Sequence, residues 1–182
     1  LRARQQRDLF RFAFQQYLAN PNAHIQKELI LQGIPDGIFP AVFLDITMPI
    51  ITRLSDIGIL WIFLAVLFLC FKKTRQAGVA GLVALVLSLI INNAILKKLV
   101  ARTRPYEVID GLKLLTKNAT DFSFPSGHSA SAFAAAAAIC KTQKGSKWRW
   151  IVLIGAVCMA LSRLYIGIHY PSDVICGALS GT

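Results

Sequence analysis

Residues 77–96 read AGVAGLVALVLSLIINNAIL, and Lys97 closes the run. About twenty apolar residues at about 1.5 Å each match the hydrocarbon thickness of a bilayer. No charged residue interrupts the stretch, and apolar side chains fall on every face of the helix it would form. It reads as a membrane span. Immediately before it, residues 57–71 are nearly all apolar and end in Lys72, Lys73 and Arg75. So short a connection makes the two spans a helical hairpin.

Working outward, residues 97–125 are polar and mixed, with Pro105, Gly111 and Pro125, and read as a loop. Residues 126–140 are rich in Ala and Ser, a weak hydropathy signal, but small side chains let helices pack closely in a bundle. Residues 141–149 carry Lys141, Lys144, Lys147 and Arg149. Residues 150–168 form another span, and 171–182 begin a last one that the chain does not complete. Toward the N-terminus, residues 29–51 are apolar but broken by Pro35, Asp36, Gly37, Pro40, Asp45 and Pro49. Such residues are costly in a lone span, so an interfacial or re-entrant segment is favoured, with a sixth span as the alternative. In residues 1–19, Arg2, Arg4, Arg7 and Arg11 interleave with Leu9, Phe10, Phe12, Phe14 and Leu18. This pattern fits a basic amphipathic helix on a membrane surface, or an ordinary solvated helix end. Asn20-Pro21-Asn22 breaks it.

The expected architecture is therefore all-α. It is an integral-membrane helical bundle of five to six spans, the last truncated, with an amphipathic N-terminal helix. Residues 1–182 form a single domain, in which 1–27 are interfacial and 57–182 carry the bundle and its site. Both ends read as trimmed, and no cleavable signal peptide is visible.

Composition agrees. Of the 182 residues, 55% are hydrophobic and 16% charged, against about a quarter charged in soluble domains. The net charge of +11 does not point to nucleic acid, because the basic residues lie between apolar runs. Charges at span ends set topology and meet lipid headgroups. Cys70, Cys140, Cys158 and Cys176 lie inside or at the ends of apolar runs, without ligand spacing. They read as small buried hydrophobes, neither a disulfide framework nor a metal site. The short basic loops at 72–76 and 141–149 fall on one side, which the positive-inside rule makes cytoplasmic. The loop at 97–125 and the turn at 167–172 then face outward, although the outer loop is itself basic.

Three polar clusters reach that outward face. Lys97 precedes Arg104-Pro105. Pro125-Ser126-Gly127-His128 opens the Ala-rich segment. Ser162-Arg163 precedes His169 and Asp173. Ionisable groups at the membrane are functional candidates by default. Alone, each has a plainer reading: a snorkelling cation, a helix cap, an interfacial histidine. Together, Lys97, Arg104 and Arg163 can hold a tetrahedral oxyanion, which the planar fork of arginine suits. Ser126-Gly127 at a helix start adds backbone N–H groups and close approach. Asp173, four residues after His169, is placed to hydrogen-bond one ring nitrogen and leave the other free to attack.

This pattern resembles the type 2 phosphatidic acid phosphatase family. Its three-part signature is Lys, six residues, Arg-Pro; then Pro-Ser-Gly-His; then Ser-Arg, five residues, His, three residues, Asp. The chain matches it without departure over residues 97–173. The resemblance implies that His169 is the nucleophile that forms a phosphohistidine, that Asp173 orients it, and that His128 is the general acid. Lys97, Arg104, Ser126, Gly127 and Arg163 would bind phosphate. It implies no metal or other cofactor. Lys98, Arg102, Tyr106 and Tyr165 lie outside the signature positions and are assigned no catalytic role.

The expected function is a membrane lipid phosphatase, multi-pass in the cell membrane, with its site on the extracytoplasmic face. Family substrates include undecaprenyl diphosphate, phosphatidic acid and phosphatidylglycerol phosphate, and all three fit. The partners would be the lipid phosphate and membrane lipids. The alternatives are an enzyme like the vanadate-dependent haloperoxidases, whose vanadate site resembles this one, or a non-catalytic lipid-binding membrane protein.

Overall fold

A computed structural model describes residues 41–108, 114–116 and 119–182. Among these every regular element is helical. They are α1 (Ala41–Leu54), α2 (Ile59–Leu69), α3 (Arg75–Ser88), α4 (Lys97–Val100), α5 (Pro105–Val108), α6 (Gly127–Thr142), α7 (Trp148–Tyr165) and α8 (Pro171–Gly181). Between α3 and α4 runs a π-helical stretch, Leu89–Leu96. The expected amphipathic helix at residues 1–27 lies outside the described residues, as does the start of the 29–51 segment.

The hairpin of residues 57–71 and 77–96 corresponds to α2 and α3. Among the described residues, two stretches are long and apolar enough to cross a membrane, Arg75–Val108 and Trp148–Tyr165. A third arises if Phe43–Leu54 and Ile59–Leu69, bent by 56°, count as one broken span or a re-entrant loop. Residues 41–51, ambiguous in sequence, are helical in α1 despite Pro49. The break comes later, in a single 3-10 turn at Asp56–Gly58. Gly58, at φ 74°, adopts the left-handed conformation that starts α2.

The Ala-rich α6 is the central helix and packs against α3, α7 and α8. At 16 residues it rises only about 24 Å. Its neighbours, rather than lipid, cover most of it, and Ala130, Ala132, Ala134, Ala135 and Ala136 are buried. Close approach explains the small residues. A Cβ on Gly177 of α8 would meet the Ser126 carbonyl at 2.5 Å, and one on Gly78 of α3 would meet the Ala65 carbonyl at 2.6 Å. Trp61, Phe68, Leu85, Ile139, Val152 and Met159 complete this core. The outer faces of α2, α3 and α7 expose Ile59, Phe63, Val79, Val83, Ile154 and Leu161, which suits contact with lipid tails.

One expectation needs correction. All four cysteines are free, but Cys70 and Cys158 are exposed rather than buried. A thiol is apolar enough to sit on the outer face of a membrane helix as readily as in its core.

The ends of the bundle sort as the alternating topology requires. At one end the two basic loops meet, with Gln143 Nε2 donating to the Lys73 carbonyl at 3.3 Å. At the other, Arg104 Nη1 donates to the Ile168 carbonyl at 3.0 Å, and the Ser126 N–H donates to the Asp173 carbonyl at 3.0 Å.

Candidate active site

All eight residues singled out in the sequence gather at this second end. The turn from α4 to α5 sets the first group. Ala101 is left-handed, at φ 46°, and donates its N–H to the Lys97 carbonyl. That reversal lets Lys97 and Arg104 face one another across a single carboxylate, Asp121. Lys97 Nζ pairs with Asp121 Oδ2. Arg104 Nη2 reaches Asp121 Oδ1 at 2.5 Å, and its Nε donates to the Asp121 carbonyl at 2.7 Å. Burial pushes the Asp121 carboxyl up, but Lys97 and Arg104 outweigh it and hold it at about 2. Both cations are buried.

Ser126 caps α6 from an extended backbone conformation, and its Oγ accepts from the Ser129 N–H and hydroxyl. Gly127 begins the helix beside Asn93 of the π-helical stretch; a Cβ there would lie 2.8 Å from Asn93 Oδ1. His128 follows, its Nε2 3.2 Å from Asp56 Oδ1. Arg163, at the end of α7, donates from Nη1 to Thr52 Oγ1 at 2.9 Å. Its Nε has no partner among the described residues.

His169 and Asp173 straddle the start of α8. Pro171 occupies the first turn, where a missing N–H costs nothing, and Asp173 accepts from the Tyr170 N–H at 3.0 Å. The carboxylate is fully enclosed. Its Oδ2 also accepts from Ser123 Oγ at 2.5 Å, and its Oδ1 from Arg102 Nη1 at 2.9 Å. The distance from Oδ2 to His169 Nδ1 is 3.6 Å, too long for the hydrogen bond expected from sequence, and Nδ1 has no hydrogen-bond partner among the described residues. Burial drives the His169 imidazole down to about 4, against the pull of Asp173, and Arg163 and Arg104 push the same way. The ring is therefore neutral near pH 7.

A cavity of about 460 Å³ joins these groups. Lys97, Arg104, Gly127, His128, Arg163 and His169 line its polar end, and Ile62, Leu82, Leu85, Val86 and Leu89 its apolar wall. Three cations beside two histidines make an oxyanion cradle, and the wall beyond them suits a hydrocarbon chain.

Sequence reasoning missed several partners. Asp121 and Ser123 sit in a polar loop where nothing marks them. Arg102 stacks its guanidinium 3.8 Å from the Tyr170 ring centre and bonds both Ser172 and Asp173. Its role comes from a fold that brings it to a partner far along the chain. Asp56 did carry a signal, since it is an acidic residue between two apolar runs.

Comparison with known proteins places the chain in a family. Residues 77–182 match the PAP2 superfamily, and the chain belongs to it. It is 36% identical over 123 residues to an undecaprenyl-diphosphatase of Sulfolobus acidocaldarius, covering 67% of this chain and 58% of that protein. Among solved structures it resembles LpxE of Aquifex aeolicus, with TM-score 0.66, 26% identity, and coverage of 80% of this chain and 84% of that one. It shares its fold with a transmembrane PAP2-type phosphatidylglycerolphosphate phosphatase of Bacillus subtilis, with TM-score 0.65, 24% identity, and coverage of 97% and 89%. The chain spans 58% of the length of the Sulfolobus relative.

Proposed function

We propose that this membrane protein hydrolyses a phosphate ester or diphosphate of a lipid through a phosphohistidine at His169. The observation that carries this reading is the single cavity in which three cations and both histidines meet an apolar wall. The cations hold the phosphate oxygens, with the Ser126–Gly127 backbone at the helix start. The Nε2 lone pair of His169 attacks phosphorus. The bond to the leaving oxygen breaks, and that oxygen takes a proton from His128. His128 then accepts a proton from water, whose oxygen attacks the phosphohistidine and releases inorganic phosphate and free His169. Asp173, 3.6 Å from Nδ1, orients the His169 ring by its charge rather than through a formed hydrogen bond. The apolar wall favours a lipid over the substrates of a soluble vanadate enzyme.

The purified protein should release phosphate from at least one of undecaprenyl diphosphate, phosphatidic acid and phosphatidylglycerol phosphate. The Sulfolobus relative's name puts the first foremost. Three cations already neutralise the phosphate, so activity should persist in excess chelator and be blocked by vanadate, which mimics five-coordinate phosphorus. No hydrolysis across the panel would refute the reading, and loss on chelation restored by magnesium would refute its metal independence. The site is proposed to face away from the cytoplasm of the cell membrane, on the strength of the basic loops at the opposite end. With native cysteines replaced, single cysteines at Asn118 and Gly145 test this in intact cells. An impermeant thiol reagent should label the first and not the second.

A further inference from the structure

The turn that breaks α1 from α2 lies outside both the three-part signature and residues 77–182, yet it reaches the site. Thr52 bonds Arg163 Nη1 at 2.9 Å. Ser55 is 1% exposed, its Oγ has no partner among the described residues, and it lines the cavity that holds Arg163 and His169. Asp56 Oδ1 lies 3.2 Å from His128 Nε2. A buried hydroxyl left unbonded is expensive unless a ligand or water completes it, so this turn faces whatever the cavity holds.

His128 also lines a second cavity, of about 530 Å³. Thr52, Arg53, Asp56 and Thr116 line this one but not the first, beside Arg163, which lines both. The ring thus borders both the apolar-walled cavity and a second one that Asp56 lines, and the Asp56 carboxylate is 56% exposed. The charged and titratable groups that face the ring are Asp56 from the turn, Arg163 from α7 and His169 from the turn before α8.

We infer that Asp56 is a positioning residue for His128: its carboxylate holds Nε2, fixing the ring's orientation and tautomer so that Nδ1 serves the leaving oxygen. Nδ1 has no protein partner among the described residues. A carboxylate on one imidazole nitrogen decides which nitrogen carries the exchangeable proton toward substrate. Because Asp56 is itself open to solvent, the ring stays linked to water for the proton that it gives up and recovers in each turnover. The site is then served by a fourth segment, contributed by the bent first pair of helices. This inference rests on the proposed phosphatase reaction.

The test uses the full chain in lipid vesicles with two substrates. Phosphatidic acid has a strongly basic leaving oxygen that needs a proton, and p-nitrophenyl phosphate does not. Asp56→Asn should lower kcat on phosphatidic acid by about tenfold or more, within the about 10²–10⁴-fold that an acid itself contributes. The initial burst of nitrophenol should be unchanged, and Asp56→Glu should recover part of the loss. Asp56→Asn added to His128→Ala should cost nothing further, since a residue acting through His128 has nothing left to act on. Equal impairment of both substrates, an undiminished rate on phosphatidic acid, or an additive double mutant would each overturn the inference. If the unmodified protein cleaves neither substrate, the phosphatase reading itself fails, which is a separate result.

Discussion

The two histidine–carboxylate pairs of the site are made from the same residue types and differ in almost everything else. In the pair of His169 and Asp173 the side chains are 2% and 0% exposed; in that of His128 and Asp56 they are 21% and 56%. Asp173 is held by Arg102, Ser123 and a backbone N–H, whereas the Asp56 carboxylate bonds only His128 among the described residues. The enclosed, hydrogen-bonded carboxylate on one side suits a ring held in one place, as the proposed nucleophile needs. The solvent-open carboxylate on the other suits a ring that exchanges protons with water, as the proposed acid and base needs. On this reading the same residue types take two roles because their surroundings differ.

The sharpest way to break this contrast is to remove each ring. His169→Ala should abolish turnover of every substrate and leave no phosphate on the protein. His128→Ala should lose about 10²–10⁴-fold on phosphatidic acid yet still release a burst of nitrophenol from p-nitrophenyl phosphate, then stall with acid-labile phosphate bound. A His169→Ala protein that still traps phosphate would end the assignment. The contrast also has a pH signature. With its pKa at about 4, His169 loses its lone pair to a proton only below that value. After correction for the ionisation of the substrate, the acid limb of kcat/KM should fall near pH 4. A limb near 6.5 would mean that the ring is open to water after all.

Arg102 sharpens the locked side next. It bonds Asp173 while lying flat on Tyr170, and it touches no reacting atom. Removing a charged partner from a buried carboxylate costs about 1–3 kcal/mol, or about 5–150-fold in rate where the group orients a nucleophile. Arg102→Ala should lower kcat by that factor with little change in KM. Arg102→Lys should recover only part, because an ammonium cannot stack and bond at once. A change confined to KM would place Arg102 on the substrate rather than on Asp173.

Which parts of this were legible in the sequence follows from how far each interaction reaches along the chain. The signature residues are set by local spacing around three helix ends, so Lys97, Arg104, His128, Arg163, His169 and Asp173 could be read directly. The α2–α3 hairpin was legible too, since an unbroken apolar run leaves few alternatives. The segment at 29–51 was legible only in part. Its prolines and acids argued against a lone span and left a re-entrant or interfacial segment or a sixth span open; α1 forms over its described part, bent by 56° from α2, with Asp45 Oδ1 accepting from Tyr165 Oη at 2.7 Å. The partners that lock or balance the site, Arg102, Asp121, Ser123 and Asp56, meet residues between 17 and 72 positions away. Nothing in their own neighbourhoods specifies those meetings.

Asp121 offers the smallest effect, and its sign is the informative part. It bridges Lys97 and Arg104, two of the cations proposed to hold phosphate. Its carboxyl sits at about 2, so it is ionised throughout the working range and changing pH cannot remove it. An incoming phosphate must either displace this carboxylate or share the cations with it. The side chain is 52% exposed, and pairs so open to solvent contribute about 0–1 kcal/mol, a factor of about five at most. If the carboxylate stands in for phosphate, Asp121→Asn frees both cations, and vanadate should inhibit up to about fivefold more tightly. Its nitrophenyl burst should be little changed, because His169 is untouched. If the carboxylate instead aims the two cations and stays in place when phosphate binds, the same substitution should weaken vanadate. Weaker inhibition would therefore make Asp121 part of the locked side of the site, alongside Asp173, rather than a counterion that gives way.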